Sequence, residues 1–242
     1  VTIPLTKRLF DIAVCAFLLV ASIPVMAFVA VLIKIDSPGP ILFRQKRITL
    51  GAREFSIMKF RTMYPDFDKD ARGIQIGAGS AGITRIGRHL RRFKIDELPQ
   101  VFNVLRGEMS LVGPRPELPR RLAYYSEADK EIFRTPSGIS SPASILFSDE
   151  EYLLDLVSDQ ESFYRDRIMP FKIALNRYYL EHRSFLYDLL IVVATVAKIF
   201  RRVDFSKIVS DSELLSIRAT MWNEARREHE ERTAQERASF NR

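Results

Sequence analysis

Ile12-Ala13-Val14-Cys15-Ala16-Phe17-Leu18-Leu19-Val20-Ala21-Ser22-Ile23-Pro24-Val25-Met26-Ala27-Phe28-Val29-Ala30-Val31-Leu32-Ile33 is a run of 22 residues without a formal charge. About 20 apolar residues span a bilayer as a helix, so the run indicates a membrane segment. A cleavable signal peptide fits poorly: the run is long, and Ile35-Asp36-Ser37-Pro38 lacks a small-residue cleavage pattern. Pro24 stands just past the middle. It removes a backbone donor and crowds the preceding turn, so it is expected to kink or break the helix. Both flanks are basic, with Lys7 and Arg8 before the run and Lys34, Arg44, Lys46 and Arg47 after it. Positive flanks favour the cytoplasmic side. Both are satisfied if the segment enters and leaves on one face, as a re-entrant helix broken at Pro24. The alternative is a kinked crossing helix in which Ser22 bonds a carbonyl freed by the proline.

Outside this run the chain reads as an ordinary globular protein. Its 242 residues are 47% hydrophobic and 28% charged, enough for one sizeable domain with appendages. The net charge of +7 suits nucleic acid, an anionic membrane face or phosphorylated ligands, and charge alone does not choose among them. The single cysteine, Cys15, excludes an internal disulfide and lies in the apolar run, where a buried, inert thiol is expected.

After the stiff turn Ser37-Pro38-Gly39-Pro40, residues 41–48 and 54–60 read as two strands joined at Leu50-Gly51-Ala52, a hairpin. Residues 63–82 form a polar, Gly-rich loop, and 83–93 a helix. Leu98, Val101, Phe102 and Leu105 fall at the spacing of a helical apolar stripe; Asp96 takes the N-cap position and Pro99 the first turn. Residues 118–133 and about 150–180 also read as helical. Residues 185–200 form a second apolar stretch, short for a span, that suits an interface helix or a core helix. The charged tail from Asp211 reads as an exposed helix, with a homodimer contact one use for it.

Candidate chemistry centres on Lys94-Ile95-Asp96-Glu97-Leu98-Pro99-Gln100. A helix start attracts anions and would keep an aspartate ionised, as a carboxylate nucleophile requires. Neighbours in sequence do not share a helix face, so Asp96 and Glu97 would do different jobs. A plain capping Asp with a first-turn Glu accounts for the same residues. Lys59 and Arg61 alternate with apolar residues, placing both on one strand face, either for phosphate or for solvent. Arg115 lies between Pro114 and Pro116, which fix its direction for bidentate phosphate recognition; a rigid loop without ligand is the alternative. His89, His182 and His229 are scattered, and no zinc pattern, Ser–His–Asp arrangement or dinucleotide or Walker glycine loop is present.

Several motifs recur in a telling order: Lys7-Arg8-Leu9-Phe10-Asp11, the Pro-interrupted apolar helix, Lys59-Phe60-Arg61-Thr62-Met63, Asp96-Glu97-Leu98-Pro99-Gln100, Phe102-Asn103-Val104-Leu105-Arg106-Gly107 and Met109-Ser110-Leu111-Val112-Gly113-Pro114-Arg115-Pro116. In this order and spacing they resemble the bacterial sugar transferases known as monotopic phosphoglycosyl transferases, over about residues 7–140. The resemblance implies a small, helix-rich α/β membrane-associated domain with an N-terminal re-entrant membrane helix and amphipathic interface helices. It implies an Asp96–Glu97 catalytic dyad, Mg²⁺ with Asp96 as a ligand, and Lys59, Arg91 and Arg115 on phosphate oxygens. The donor would be a nucleoside diphosphate sugar, typically a UDP-sugar that releases UMP, and the acceptor polyprenyl phosphate. Two departures stand out: Ile23-Pro24 replaces the family's usual Ser-Pro, and Pro136-Ser137-Gly138-Ile139-Ser140-Ser141-Pro142-Ala143-Ser144 differs from its Pro-Gly-Ile-Thr-Gly segment.

The expected organisation is a re-entrant helix over 1–36, a cytoplasmic catalytic domain over 37–183, an interface helix over 184–207 and a charged tail over 208–242. The expected location is the bacterial cytoplasmic membrane, among membrane lipids, with no nucleic-acid partner. Two rivals from other classes are a membrane-anchored nucleic-acid module and a non-catalytic scaffold. The first lacks a recognition motif, and neither needs Asp96-Glu97 at a helix start.

Overall fold

The structure, a computed structural model, describes residues 4–65, 82–200 and 203–240. Strands β1 (Leu42–Ile48) and β2 (Glu54–Phe60) pair antiparallel with Leu42 opposite Phe60 and Ile48 opposite Glu54. The tight connection uses Gly51 at φ +66°, a left-handed conformation that glycine adopts without steric cost. The hairpin is as the sequence predicts. Most of the Gly-rich loop lies outside the described residues; its two ends are tied by a bridge between Met63 and Ile83.

Helix α1 (Leu5–Asp36) is the one helix, among the described residues, long and apolar enough to cross a bilayer. It passes through Pro24 without interruption, so the expected break is not found. Ser22 Oγ donates to the Leu19 carbonyl at 3.2 Å. That carbonyl is one residue before Val20, whose oxygen Pro24 cannot reach. α1 has two faces. Asp11, Cys15, Val29 and Ile33 are buried, with Leu19, Ser22 and Met26 half-buried between them, a stripe at helical spacing that lies against the rest of the chain. The opposite face carries Leu9, Phe17, Val20, Phe28 and Val31 in the open, Phe17 being 71% exposed.

Both ends of α1 are pinned. Near the start, Arg8 donates to the carbonyls of Val104 and Leu105 at 2.6 and 3.0 Å, and Asp11 accepts from Ser110 Oγ at 2.6 Å. Lys7 donates to Asp188 at 2.6 Å, and Tyr179 donates to the same carboxylate at 2.8 Å. The Lys7–Asp11 motif is therefore a set of internal fastenings as well as a basic flank. At the far end, Asp36 accepts from the Ile86 amide at 2.9 Å.

The remaining elements surround one main core. Helix α2 (Arg85–Arg92) is shorter than the helix expected over 83–93, because Thr84 Oγ caps it by accepting from Gly87 N at 2.9 Å. Gly87 sits against β2's exit: a Cβ there would lie 2.1 Å from the Thr62 carbonyl oxygen. A short 3₁₀ turn, Ile95–Glu97, leads into α3 (Gln100–Leu105). Strands β3 (Ser110–Val112) and β4 (Gly138–Ser140) pair in parallel as a second ribbon. Where one helix is expected over 118–133, the chain makes two 3₁₀ segments, Pro119–Tyr124 and Asp129–Arg134. Between them Ser126 Oγ bonds Asp129 at 2.6 Å, the kind of local side-chain bond that competes with a helix ladder.

Helices α4 (Pro142–Leu146), α5 (Glu150–Asp155), α6 (Gln160–Phe163) and α7 (Met169–His182) follow, with a π turn at Tyr164–Ile168 joining the last two. Helix α8 (Phe185–Phe200) buries Asp188, Ile191 and Ala194 and exposes Phe185, Leu186, Val193 and Val196. Phe185 meets Phe10 of α1 edge to face, with centroids 5.0 Å apart. Helix α9 (Ser212–Phe240) seats Met221, Trp222 and Ala225 and leaves most of its charged residues outside.

Candidate active site

The site is built where β2, the 95–97 turn, β3's exit and α5 meet around a cavity of about 680 Å³. Asn103 of α3 fixes the first two relative to each other. Its side chain accepts from the Met58 amide at 3.0 Å and donates to the Ser56 carbonyl at 2.8 Å and to Glu108 at 2.7 Å. Lys59, on the next residue of β2, is thereby held beside the carboxylates. Lys94 takes a left-handed conformation at φ +56°, which turns the chain sharply from α2 into Asp96 and Glu97.

Asp96 is not an N-cap. It lies in the middle of the 3₁₀ turn, and no side chain caps α3. Its residue is 8% exposed, and its Oδ1 is buried without a hydrogen-bond partner. Burial and the adjacent Glu97 push the Asp96 carboxyl up to about 6, against the pull of Lys59, Lys94 and Arg91. Asp96 is thus ionised at neutral pH, though less readily than a helix start would make it, because the desolvation outweighs the cations around it.

Glu97 is the opposite case. Its Oε1 accepts from Lys59 Nζ at 2.7 Å and from Arg115 at 3.2 Å. Burial alone would raise its pKa, but Lys59, Arg115 and Lys94 hold it well below the usual carboxylate range. Adjacent carboxyls have therefore been driven apart, one a fixed anion and the other unpaired and poised near neutrality.

The three basic residues expected on phosphate all line this cavity, and each already has a carboxylate partner. Lys59 and Arg115 clamp Glu97, and Arg91 pairs with Glu151 of α5. Burial lowers the Lys59 pKa despite Glu97 beside it. Arg115 remains partly exposed, and a guanidinium carries five donors, so it can serve Glu97 and an incoming anion together. Arg61 lines the same cavity as Lys59, but its guanidinium is already taken. β2 ends at Phe60, and Arg61 turns back to donate to the carbonyls of Ser37, Pro38 and Pro40 at 2.9, 2.8 and 2.6 Å. It fastens the exit of α1.

The cavity also holds residues that the sequence reading did not select. Arg44, Arg88, Arg92 and Lys94 supply positive charge, and Glu151 and Tyr152 come from α5, more than 50 positions after the dyad. Arg88, Arg92 and Lys94 stand just before the dyad in sequence, whereas Arg44 is signalled only as part of a basic flank and α5 carries no motif. Behind Arg115, Lys172 and Glu150 form a buried pair, and Glu150 Oε1 has no partner.

Among the described residues, no group of three or more His, Cys, Asp or Glu could hold a metal ion. A magnesium ion usually takes one or two carboxylates and completes its shell with water and substrate phosphate. The unpartnered Asp96 Oδ1 at the cavity fits that donor set.

The site thus combines a desolvated carboxylate, a fixed second carboxylate and a cationic rim beside an apolar helix. Residues 3–202 match the bacterial sugar transferase family, and the chain belongs to it. It is 36% identical over 200 residues to UDP-N-acetylgalactosamine-undecaprenyl-phosphate N-acetylgalactosaminephosphotransferase of Aeromonas hydrophila, over 80% of this chain and 43% of that one. It is 46% identical over 131 residues to UDP-glucose:undecaprenyl-phosphate glucose-1-phosphate transferase of Caulobacter vibrioides, over 52% of this chain and 47% of that one. The Bacillus subtilis uncharacterized sugar transferase EpsL is 33% identical over 193 residues, 80% of this chain and 86% of its own length. The matched stretch is thus under half the length of the Aeromonas and Caulobacter proteins.

Proposed function

We propose that the chain transfers a sugar 1-phosphate from a nucleoside diphosphate sugar, a UDP-sugar by the names of its relatives, to polyprenyl phosphate. The observation that carries this reading is Asp96, a buried carboxyl with an unpartnered Oδ1, in the lining of a cavity rich in cations. An Asp96 oxygen attacks the sugar-bearing phosphorus, forming a P–O bond as the bond to UMP breaks, and UMP leaves with the electron pair. An oxygen of polyprenyl phosphate then attacks the same phosphorus, the acyl phosphate bond breaks, and Asp96 is regenerated as a carboxylate.

Arg115 and the rim cations Arg88 and Lys94 orient the diphosphate and offset its charge. Glu97 holds Lys59 and Arg115 in place from within. A bound Mg²⁺, with Asp96 and phosphate oxygens as ligands, would supply further charge neutralisation. Phosphoryl transfer asks chiefly for positioning and positive charge, which these residues provide.

The membrane seat follows from α1. Its inner face packs along the domain from Asp11 to Ile33, and Arg8 and Asp36 fasten its two ends to that same body. A helix crossing the bilayer would drag this body into the lipid. On this reading both ends of α1 stay on one side, the cytoplasmic side that the basic flanks favour, and the exposed apolar faces of α1 and α8 enter the inner membrane. A cysteine at position 2 should react only with reagent on the cytoplasmic side; periplasmic labelling would refute this topology.

The deciding assay is UMP release by detergent-solubilised protein given Mg²⁺, polyprenyl phosphate and a panel of UDP-sugars. Lipid-dependent UMP from one sugar is expected, with a sugar-phosphoryl enzyme trapped when the lipid is withheld. Folded protein that releases none with any donor would overturn the reading.

A further inference from the structure

A second hollow, of about 710 Å³, lies beside the active-site cavity, and its walls are mostly apolar. On one side α1 presents Met26, Ala27 and Ala30; Leu42 and Phe60 of the hairpin stand on the other. Ala27 and Ala30 are one helical turn apart, so their small side chains open a continuous gap on one face. The gap lies next to Phe28 and Val31, on the apolar side of α1 that is open to its surroundings.

The two hollows are contiguous. Pro40, Leu42, Arg44 and Phe60 line both. Arg44 is exposed at this junction, and its neighbour on β1, Gln45, is already taken by Arg47 at 2.6 Å. The groove is therefore apolar along its length and cationic where it meets the reaction centre.

We propose that this groove holds the first isoprene units of the polyprenyl phosphate acceptor, with Arg44 receiving its phosphate at the junction. The inference rests on the transfer reaction proposed above and locates its lipid substrate. An isoprenoid chain joined to a phosphate dianion needs these two features, in this order, with the charged end toward Asp96. An ordinary phospholipid chain matches the apolar wall but gains nothing from a junction with the cavity. The hollow is shallow and open on one side, so an isoprenoid chain lying in it keeps its other edge toward the surrounding lipid.

The test uses the full chain in nanodiscs. A photoreactive polyprenyl phosphate should label the peptides containing Ala27–Ala30 or Leu42–Arg44, and unmodified polyprenyl phosphate should compete. Ala30→Trp fills the groove and should raise the KM for polyprenyl phosphate about tenfold, the loss expected from displacing two methylene-sized groups. The KM for the UDP-sugar is read in the same preparations as the comparison. Ala27→Phe, at an exposed position, gives a second blocked groove should Ala30→Trp not fold. Arg44→Glu should raise the lipid KM by a similar factor, with Arg44→Lys restoring most of it. An unchanged lipid KM in both blocked variants, or labelling confined to α8, would overturn the proposal. So would groove labelling that polyprenyl phosphate does not compete, which would identify a bulk bilayer chain. Labelling reads binding without turnover, so a competed label in protein that releases no UMP would sink the reaction and keep the groove.

Discussion

Two short charged segments, Lys7–Asp11 and Lys94–Glu97, each bury an aspartate, and they do opposite things with it. Asp11 is fully buried and accepts from Ser110 Oγ at 2.6 Å with Lys7 3.9 Å away. Lys7 in turn reaches Asp188, which Tyr179 also serves. The charges at the start of α1 close on one another, and the result is a joint between α1, β3, α7 and α8. Asp96 is almost as buried, yet Oδ1 has no partner while Glu97 beside it takes both Lys59 and Arg115. A buried carboxylate that is fully bonded contributes to the fold; one left unbonded at a cavity wall costs stability and is available for chemistry.

The largest expected effect comes from breaking the second segment. Asp96→Asn keeps the shape and removes the proposed nucleophile, so UMP release should fall by at least about 10³-fold. The same change should raise the melting temperature. The folded-state pKa of Asp96 is raised to about 6, so its contribution to stability is full below the unfolded pKa near 4 and is lost as pH rises through 6. At neutral pH the ionised group therefore opposes folding. A melting point that drops with activity would mean that Asp96 is a structural residue like Asp11.

Glu97→Gln tests the clamp. It keeps a hydrogen-bond acceptor for Lys59 but removes the charge that holds two cations together, and kcat should fall by roughly 10²-fold. Binding of the donor should weaken less, because Lys59 and Arg115 are then free to take its phosphates.

Asp11→Asn is the converse test. Ser110 and Lys7 lose a charged partner in a dry setting, which lowers stability, while burial also raises the Asp11 carboxyl and so offsets part of that loss. Activity per folded molecule should stay near that of the parent. A large fall in kcat with unchanged thermal stability would contradict the division between the two segments.

The two segments also differ in how far the sequence discloses them. Asp96, Glu97, Lys59 and Arg115 are legible because local motifs carry them, Arg91 only through the family resemblance, and the structure brings all five to one cavity. The β1–β2 hairpin and α8 and α9 are legible from alternation, apolar length and charge. The role of Lys7–Asp11 is not, since nothing local says that Asp11 meets Ser110, 99 positions on. Alternation places Arg61 at the same cavity as Lys59, but nothing local says that its guanidinium is spent on the carbonyls of Ser37, Pro38 and Pro40. The β3–β4 pair has three residues a strand, all but one buried, so it shows no period-2 pattern. Pro24 was read by its local rule alone. The inner face of α1 is held along the domain on both sides of it, and that packing keeps the helix continuous.

The pH dependence separates the two carboxylates of the dyad with the mildest perturbation. If Asp96 attacks as an anion, the donor half-reaction requires it deprotonated, and kcat/KM for the UDP-sugar should be level above about pH 6 and fall tenfold per unit below it. Glu97 cannot produce this limb, because Lys59 and Arg115 keep it ionised far below that range. Glu97→Gln should move the limb down, since removing the neighbouring negative charge takes away one of the two causes that raise Asp96. The check is a pair of profiles for UMP release, parent against Glu97→Gln. A limb that stays near pH 6 in both would leave burial as the sole cause of the shift, and a limb that vanishes in Glu97→Gln would assign the titration to Glu97.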